Sequence, residues 1–159
     1  MDEELQNDSA ESAIEGPTGR IDGDRPAQIK PGTYEVAYVR HEVRNLFGGR
    51  AMKLVVWFRV IGFGPAFGAC VPKYYNVGKP DRTVRSTNTF KVGFKSDFYR
   101  DYVRLLDEIP KGRARISMQG FRGKVFRAQV RFVDRDSKQQ PIADCAQYSI
   151  IDRLVKDVT

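Results

Sequence analysis

The side chains that could perform catalysis are few and scattered along this 159-residue chain. His41 is the only histidine, so it is the only imidazole that could serve as a base in nucleophilic catalysis. It falls inside a predicted strand, with no acid or nucleophile at an informative spacing, whereas catalysis needs groups in mutual hydrogen-bonding reach. We therefore expect a structural histidine and a protein that is not an enzyme.

Two pairs of carboxylates could bind a divalent ion. Asp134 and Asp136 are followed by Ser-Lys-Gln-Gln-Pro, which is typical of a hairpin turn. Asp97 and Asp101 lie one helical turn apart, but the arginines beside them favour ordinary surface ion pairs. A two-metal nuclease needs more converging carboxylates than these, so it stays a minor alternative. No metal or other cofactor is expected.

A glycine-rich segment, residues 62–68, superficially resembles a phosphate-binding loop. The dinucleotide fingerprint requires a strand before the glycines and a helix after them. Here Pro65 interrupts the segment and a predicted strand follows it. We interpret it as a connection between strands.

Cations alternate with aromatic side chains along the chain. Single-stranded nucleic acid is bound by a basic groove together with aromatic rings that stack on bases. Trp57 and Arg59 share one face of a predicted strand, although burial of Trp57 and of one of the two neighbouring tyrosines in the core is an alternative. The residues predicted to form a nucleic-acid interface are Arg40, Arg44, Trp57, Arg59, Lys73, Tyr74, Tyr75, Lys79, Arg82, Arg85, Arg127 and Arg131.

Five segments have the hydrophobic pattern of strands. They begin near Thr33, at Lys53, at Ala69, near Phe126 and at Gln147. Residues 46–49 predict a hairpin turn between the first two strands, and residues 134–140 a turn between the last two. Pro72 indicates that the third strand lies at an edge or contains a bulge, because proline lacks the N–H that a central strand needs.

One helix is predicted between the third and fourth strands. Ser96 can cap its first turn and Pro110 ends it. Its apolar face comprises Phe98, Tyr102, Leu105, Leu106 and Ile109.

Three strands, a helix and two strands follow one another in the order of the OB-fold, a five-stranded Greek-key barrel with its helix between strands three and four. Closure of a barrel would also remove exposed sheet edges. We therefore predict a mainly β, OB-fold-like basic domain over residues 29–159. Residues 1–28 have no hydrophobic periodicity and are predicted to be a disordered acidic tail.

Charge divides the chain at the same point. Residues 1–28 contain eight acids and two arginines, whereas residues 29–159 contain 25 Lys/Arg and 12 Asp/Glu. A basic body suggests a polyanionic ligand, and a mobile acidic tail could occupy the same surface when that ligand is absent. Binding to a membrane surface is not expected.

Few features of the sequence indicate where in the cell the protein is located. No apolar run reaches the ~20 residues that span a membrane, and the acidic N-terminus does not resemble a secretory signal. Cys70 and Cys145 are the only cysteines, which indicates free thiols rather than a disulfide framework. These features predict a location in the bacterial cytoplasm.

The runs KPGTYEV (30–36), KLVVWFRV (53–60) and YYNV (74–77) resemble a group of small proteins of bacteriophages and integrated mobile elements. Several of those proteins look like OB-fold single-stranded-DNA-binding proteins. The acidic segment is also similar to the acidic tails of bacterial and phage proteins of this kind, although those tails are usually C-terminal and end in an apolar tip.

The resemblance implies sequence-tolerant binding of single-stranded DNA during replication or recombination of a phage or mobile element. It leaves open RNA as the ligand, a homo-oligomer, and contacts with replication or recombination proteins. An alternative is a protein-interaction module, an adaptor or inhibitor that uses the same charges to bind an acidic host or element-encoded protein.

Overall fold

The computed structural model describes residues 25–46, 51–79, 90–110 and 116–159. Its elements, in chain order, are β1 (Gly32–Leu46), β2 (Ala51–Val60), β3 (Cys70–Val77), α1 (Asp97–Leu106), a 3₁₀ turn (Met118–Phe121), β4 (Val125–Val133), a second 3₁₀ turn (Asp144–Ala146) and β5 (Tyr148–Asp157). The predicted mainly β class is confirmed. The greater part of the predicted acidic tail, residues 1–24, and most of the predicted turn at 46–49 lie outside the described residues.

The strands form one antiparallel sheet in the order β3-β2-β1-β4-β5. The 15-residue β1 is central, and its first half pairs with β4 while most of its length pairs with β2. A register shift between Tyr38 and Arg40 lets β1 bend while it pairs with both β2 and β4. Pro72 lies on β3, which is an edge strand as its sequence predicts.

The sheet is not the closed barrel that the strand order suggested. No strand ladder joins β3 to β5 within the described residues, although these two edge strands contact each other. Residues 27–29, which we call the N-terminal staple, bond to both edges instead. The Ala27 N–H donates to the Cys70 carbonyl (3.1 Å), and the Ala27 carbonyl accepts from the Ser149 N–H (3.0 Å). The staple therefore satisfies backbone groups that direct strand pairing would otherwise satisfy.

The staple also overlaps the predicted boundary between tail and body. Besides the Ala27 bonds, the Gln28 side chain donates to the carbonyls of Asp144 (3.0 Å) and Gln147 (2.8 Å). Residues 27 and 28, predicted to belong to the tail, are thus attached to the sheet.

The core lies on one face of the sheet. Leu54, Val56 and Phe58 of β2 are at most 1 % exposed and face Phe98 of α1 and Phe121 of the first 3₁₀ turn within one cluster. The alternation predicted for β2 and β4 is confirmed on this face. Each such buried side chain contributes roughly 1.5–3 kcal/mol relative to exposure.

Helix α1 begins as predicted and ends early. The Ser96 hydroxyl accepts from the Tyr99 N–H (3.2 Å), which is an N-cap. Asp107 adopts a left-handed conformation (φ 50°) and stops the helix. The prediction that Ile109 belongs to the apolar helix face is therefore wrong, because Ile109 follows the cap and is 71 % exposed.

Candidate nucleic-acid interface

The outer face of β1 and β2 gathers cations that are distant in sequence. Pairing places Arg40 opposite Trp57, Arg44 opposite Lys53, and Ala37 opposite Arg59. In β2, Lys53, Trp57 and Arg59 alternate with core residues, so they face away from the core. The register shift after Tyr38 puts Arg40 and Arg44 of β1 on this same face. We call Arg40, Arg44, Lys53 and Arg59 the basic face.

Glu42 ties two cations of the basic face to Trp57. The Trp57 Nε1–H donates to Glu42 Oε1 (3.2 Å), and Arg44 Nη2 donates to the same oxygen (2.5 Å). Arg40 Nη1 lies 3.6 Å from Glu42 Oε2, and the Arg40 guanidinium lies 5.2 Å from the Trp57 ring centre. The cluster orders two guanidinium groups at the surface while one carboxylate partly neutralises them.

The charge state of Glu42 follows from opposing effects. Partial burial favours the neutral acid and by itself would raise the pKa of Glu42. The hydrogen bonds from Trp57 and Arg44, with the positive charges of Arg44 and Arg40, outweigh burial and lower that pKa below its ordinary value. Glu42 is therefore a carboxylate at neutral pH.

The sequence left two alternatives for Trp57, a surface ring that stacks on bases or a buried ring. The structure shows the buried ring. It is only 2 % exposed, between its cross-strand neighbours and the Arg40 guanidinium. A base could reach it only if Arg40 moved away. The indole instead supports the arginines that lie over it.

Tyr74 lies beside this cluster on the same face. It pairs with Val55, is partly exposed, and lies near Arg44 and Tyr148. Partial burial raises the pKa of its phenol, against the lowering effect of Arg44. Among Trp57, Tyr74 and Tyr75, it alone keeps a partly exposed ring.

The side chains of Tyr75 and Lys73 lie on the core side of the sheet, because odd-numbered positions of β3 pair with the core residues of β2. Tyr75 is 4 % exposed and its hydroxyl donates to Asp101 Oδ2 (2.7 Å) on α1, so it is the one of the two neighbouring tyrosines that lies in the core, and its ring is not exposed to a base. Burial, followed by the negative charge of Asp101, raises its pKa well above the usual value. Lys73 Nζ donates to the Asp152 carbonyl (3.0 Å), across the gap between β3 and β5. Burial lowers the Lys73 pKa.

The outer face of β4 and β5 carries a second group of cations. Arg127 pairs with Lys156, and Gln129 pairs with Arg153. Arg131 Nε donates to Asp152 Oδ1 (3.0 Å), and both side chains are more than half exposed. We call Arg127, Arg131, Arg153 and Lys156 the β4–β5 patch.

Sequence reasoning missed Lys53, Arg153 and Lys156. Each joins the cationic surface only through its cross-strand partner, and the alternation of β2 and β5 was the available signal.

Among the predicted loop cations, Lys79 is exposed after β3. Arg82 and Arg85 lie outside the described residues.

Two exposed aromatic side chains were also missed. Phe63 and Phe67 lie in the connection between β2 and β3, and are 104 % and 63 % exposed. The signal was present in the sequence as phenylalanines within a Gly/Pro-rich turn, where a core position is hard to form.

The residues considered for catalysis and metal binding have other contacts. His41 Nδ1 is hydrogen-bonded to the Tyr38 hydroxyl (3.0 Å). Asp136 accepts from the N–H groups of Lys138 and Gln140 (2.9 Å each), which makes the predicted turn. Among the described residues, no group of three His, Cys, Asp or Glu side chains could hold a metal ion.

The carboxylates of α1 form ion pairs, as the sequence indicated. Asp97 pairs with Arg100 (3.5 Å), and Asp101 with Arg104 (2.9 Å). Cys70 and Cys145 are free thiols. No helix within the described ranges is long and apolar enough to cross a membrane.

None of the known protein families, curated proteins or solved structures compared with this chain matches it.

Proposed function

We propose that the protein binds single-stranded DNA without strong sequence preference and has no catalytic activity of its own. The observation that carries the proposal is the charge of the outer sheet face. It presents the basic face and the β4–β5 patch, with Glu35, Glu42 and Asp152 as its acids, while Asp157 of β5 pairs opposite the core residue Phe126. A continuous excess of cations on one surface is suited to a phosphate backbone.

The sheet topology supports an OB-fold-like interpretation of this domain. A central β1 is flanked by β2 and β4, the edge strands β3 and β5 approach each other, and α1 lies between β3 and β4 in the chain. OB-folds are partly open Greek-key barrels that bind oligonucleotides on the surface of strands two and three. Lys53 and Arg59 of the basic face lie on β2 and Tyr74 lies on β3, while Arg40 and Arg44 lie on the neighbouring β1.

Several cations of the surface are free to contact phosphates. Arg59 is exposed, and no ion pair or hydrogen bond of its side chain is found among the described residues. Arg127 and Arg153 are likewise without an ion pair there. By contrast, Arg44 is engaged by Glu42. We therefore assign the strongest phosphate contacts to Arg59, Arg127 and Arg153.

The test is binding of a fluorescent oligo-dT followed by anisotropy at increasing salt. If four phosphates are neutralised, affinity falls about 50-fold from about 50 to about 200 mM salt. Arg59→Glu is expected to weaken binding roughly ten-fold at low salt. Lys95→Glu makes the same charge change beyond the sheet, next to α1, and is the matched control.

Affinity indifferent to salt, or duplex binding as tight as that of oligo-dT, would refute this function. An oligo-rU arm in the same titration separates DNA from RNA. The setting we propose, replication or recombination of a phage or mobile element, rests on the sequence resemblance alone.

A second candidate function is recognition of an acidic protein partner, and one surface favours it. A cleft of about 600 Å³ beside α1 is lined by Phe94, Tyr99 and Val103 together with Lys95, Arg100 and Arg104. Apolar side chains edged by cations are suited to an acidic, partly hydrophobic peptide. Loss of partner binding in Phe94→Ala with unchanged oligo-dT affinity would support this candidate.

A further inference from the structure

The connection between β2 and β3, residues 61–69, is a structured turn that holds two phenylalanines in solvent. We call it the aromatic turn. The Phe67 N–H donates to the Gly64 carbonyl (3.1 Å), and the Gly68 N–H to the Val60 carbonyl (2.8 Å). Gly64 (φ 142°) and Gly68 (φ 84°) have conformations that favour glycine. The exposure of the aromatic rings is thus built into the backbone.

This exposure contrasts with the four phenylalanines of the core, while Phe132 of β4 is half-buried. Phe58, Phe98, Phe121 and Phe126 are at most 2 % exposed. A single exposed apolar residue is ordinary, whereas two adjacent exposed rings form a surface that a ligand can cover.

The two exposed rings are nearly parallel to each other. The ring planes of Phe63 and Phe67 are within 14° of parallel, and their centres are 6.4 Å apart. Optimal carbon–carbon contacts are about 3.5 Å, so a planar group between two rings needs planes about 7 Å apart. The ring centres are closer than this, so a base enters between the rings only after the side chain of Phe63, which is fully exposed, rotates away from Phe67. Nucleobases are the planar groups that aromatic side chains of DNA-binding proteins stack on.

Polar and charged groups flank the aromatic turn. A cleft of about 580 Å³ separates it from residues 28–30 and 33–35, a size in the range that small ligands occupy. Lys30 and Glu35 line the cleft, as does Tyr34, whose hydroxyl donates to the Lys30 carbonyl (2.7 Å). Arg59 of the basic face precedes the turn by two residues. Lys30 thus shares a cleft with Phe63, and Arg59 lies at the end of β2 where the aromatic turn begins.

We infer that Phe63 and Phe67 form a clamp for an unpaired nucleobase of the bound single strand. This inference rests on the proposed function and deepens it, because the aromatic turn supplies the stacking surface that the buried Trp57 and Tyr75 do not. Phosphates on either side of the clamped base contact Arg59 and Lys30. A base paired in a duplex cannot enter the clamp, so the turn also selects single strands.

The first experiment compares oligo-dT with an abasic oligonucleotide of the same length. Phe63→Ala/Phe67→Ala is expected to weaken oligo-dT binding about ten-fold or more and to leave abasic binding unchanged. Phe94→Ala, which removes another exposed ring (74 %), is the matched control. Since all three rings are on the surface, thermal unfolding should be the same in wild type and variants.

A second readout places a reporter in the clamp. Phe63→Trp is expected to show fluorescence quenching with oligo-dT but not with polyphosphate, which binds cations without stacking. Salt-dependent oligo-dT binding that is equal in the double variant and in Phe94→Ala would overturn the clamp and leave the proposed function intact. Failure of wild type to bind oligo-dT at low salt would overturn both.

Discussion

At the scale of single residues, the most informative side chain of the surface is the acid Glu42. It accepts hydrogen bonds from Trp57 and Arg44 and lies near Arg40. A carboxylate in the middle of a cationic surface lowers the attraction for phosphates while it fixes the geometry of the cations. Under the proposed function, Glu42 therefore holds Arg40 and Arg44 in place and weakens the binding of phosphates.

Glu42→Gln should separate these two effects. Oligo-dT binding at low salt is expected to tighten about five-fold, since one charge interaction of this kind is worth about 1 kcal/mol. The free energy of unfolding in urea should fall by about 1 kcal/mol, because hydrogen bonds to a charged acceptor are replaced by weaker ones. Glu108→Gln makes the same charge change after α1 and should alter neither quantity. Weaker DNA binding by Glu42→Gln would contradict this account.

His41 makes stability depend on pH. Burial first, and then the positive charge of Arg122, lower the pKa of His41 below its ordinary 6.5. The unfolded chain therefore takes up a proton at a higher pH than the folded chain does. Stability is complete above about pH 6.5 and decreases as the pH falls through the window between the ordinary pKa and the lowered one.

Urea denaturation of wild type and His41→Gln at pH 7.5 and pH 5.5 measures this effect. Wild type is expected to lose more free energy of unfolding between the two values than the variant does. Equal losses would show that His41 does not titrate differently in the folded protein.

At the scale of elements, the N-terminal staple accounts for the open sheet. The Ser149 side chain is fully buried, accepts from the Ile29 N–H (2.9 Å) and donates to the Ile29 carbonyl (3.0 Å). Together with the Ala27 bonds, it attaches the staple to β5. The two edges are thus joined through a third segment.

Ser149→Ala should weaken this attachment. It leaves two backbone groups of Ile29 without partners, at a cost of about 1–3 kcal/mol. Urea denaturation measures the loss, and hydrogen exchange at residues 27–29 should increase more than exchange in β2. Ser117→Ala, which removes an exposed cap of a 3₁₀ turn, is the control and should cost less. Unchanged exchange at the staple would contradict its role.

At the scale of the whole molecule, the structure shows where the acidic N-terminal segment joins the basic body. Acidic residues 1–24 precede Ala27, which is bonded to both sheet edges. Ser149, which donates to Ala27, belongs to β5, the strand that carries Arg153 and Lys156 of the β4–β5 patch. Tethering raises the effective concentration of the acidic segment at that patch relative to a free polyanion.

Removal of residues 1–24 should therefore tighten oligo-dT binding several-fold at low salt, with the difference shrinking as salt screens the charges. The deletion keeps the staple, so thermal unfolding should be unchanged. A full-length variant in which the acids of residues 1–24 are replaced by Asn and Gln should behave like the deletion. Equal affinities of wild type and deletion at low salt would show that the segment does not compete.

Much of the fold was predictable because local patterns determine it. Alternation in β4 indicated which side chains face the core, and Ser96 marked the start of α1. In β2 the apolar run left open whether Trp57 or Phe58 faces the core. The end of α1 was not predictable, because the pattern continued to Ile109 while Asp107 adopted a left-handed conformation. The spacing of apolar residues does not indicate at which residue the backbone leaves the helical conformation.

The sequence by itself determined the element order, the basic character of the body and the outward cations of β4, whereas the register shift after Tyr38 is what turns Arg40 and Arg44 of β1 outward. Only the tertiary structure decided that Trp57 and Tyr75 are buried, that the staple lies between β3 and β5, and that Arg153 and Lys156 lie beside Arg127. The physical reason is that alternation assigns a side chain to a face, whereas exposure depends on which distant segments cover that face. Those long-range contacts arise from strand register, which no local pattern specifies.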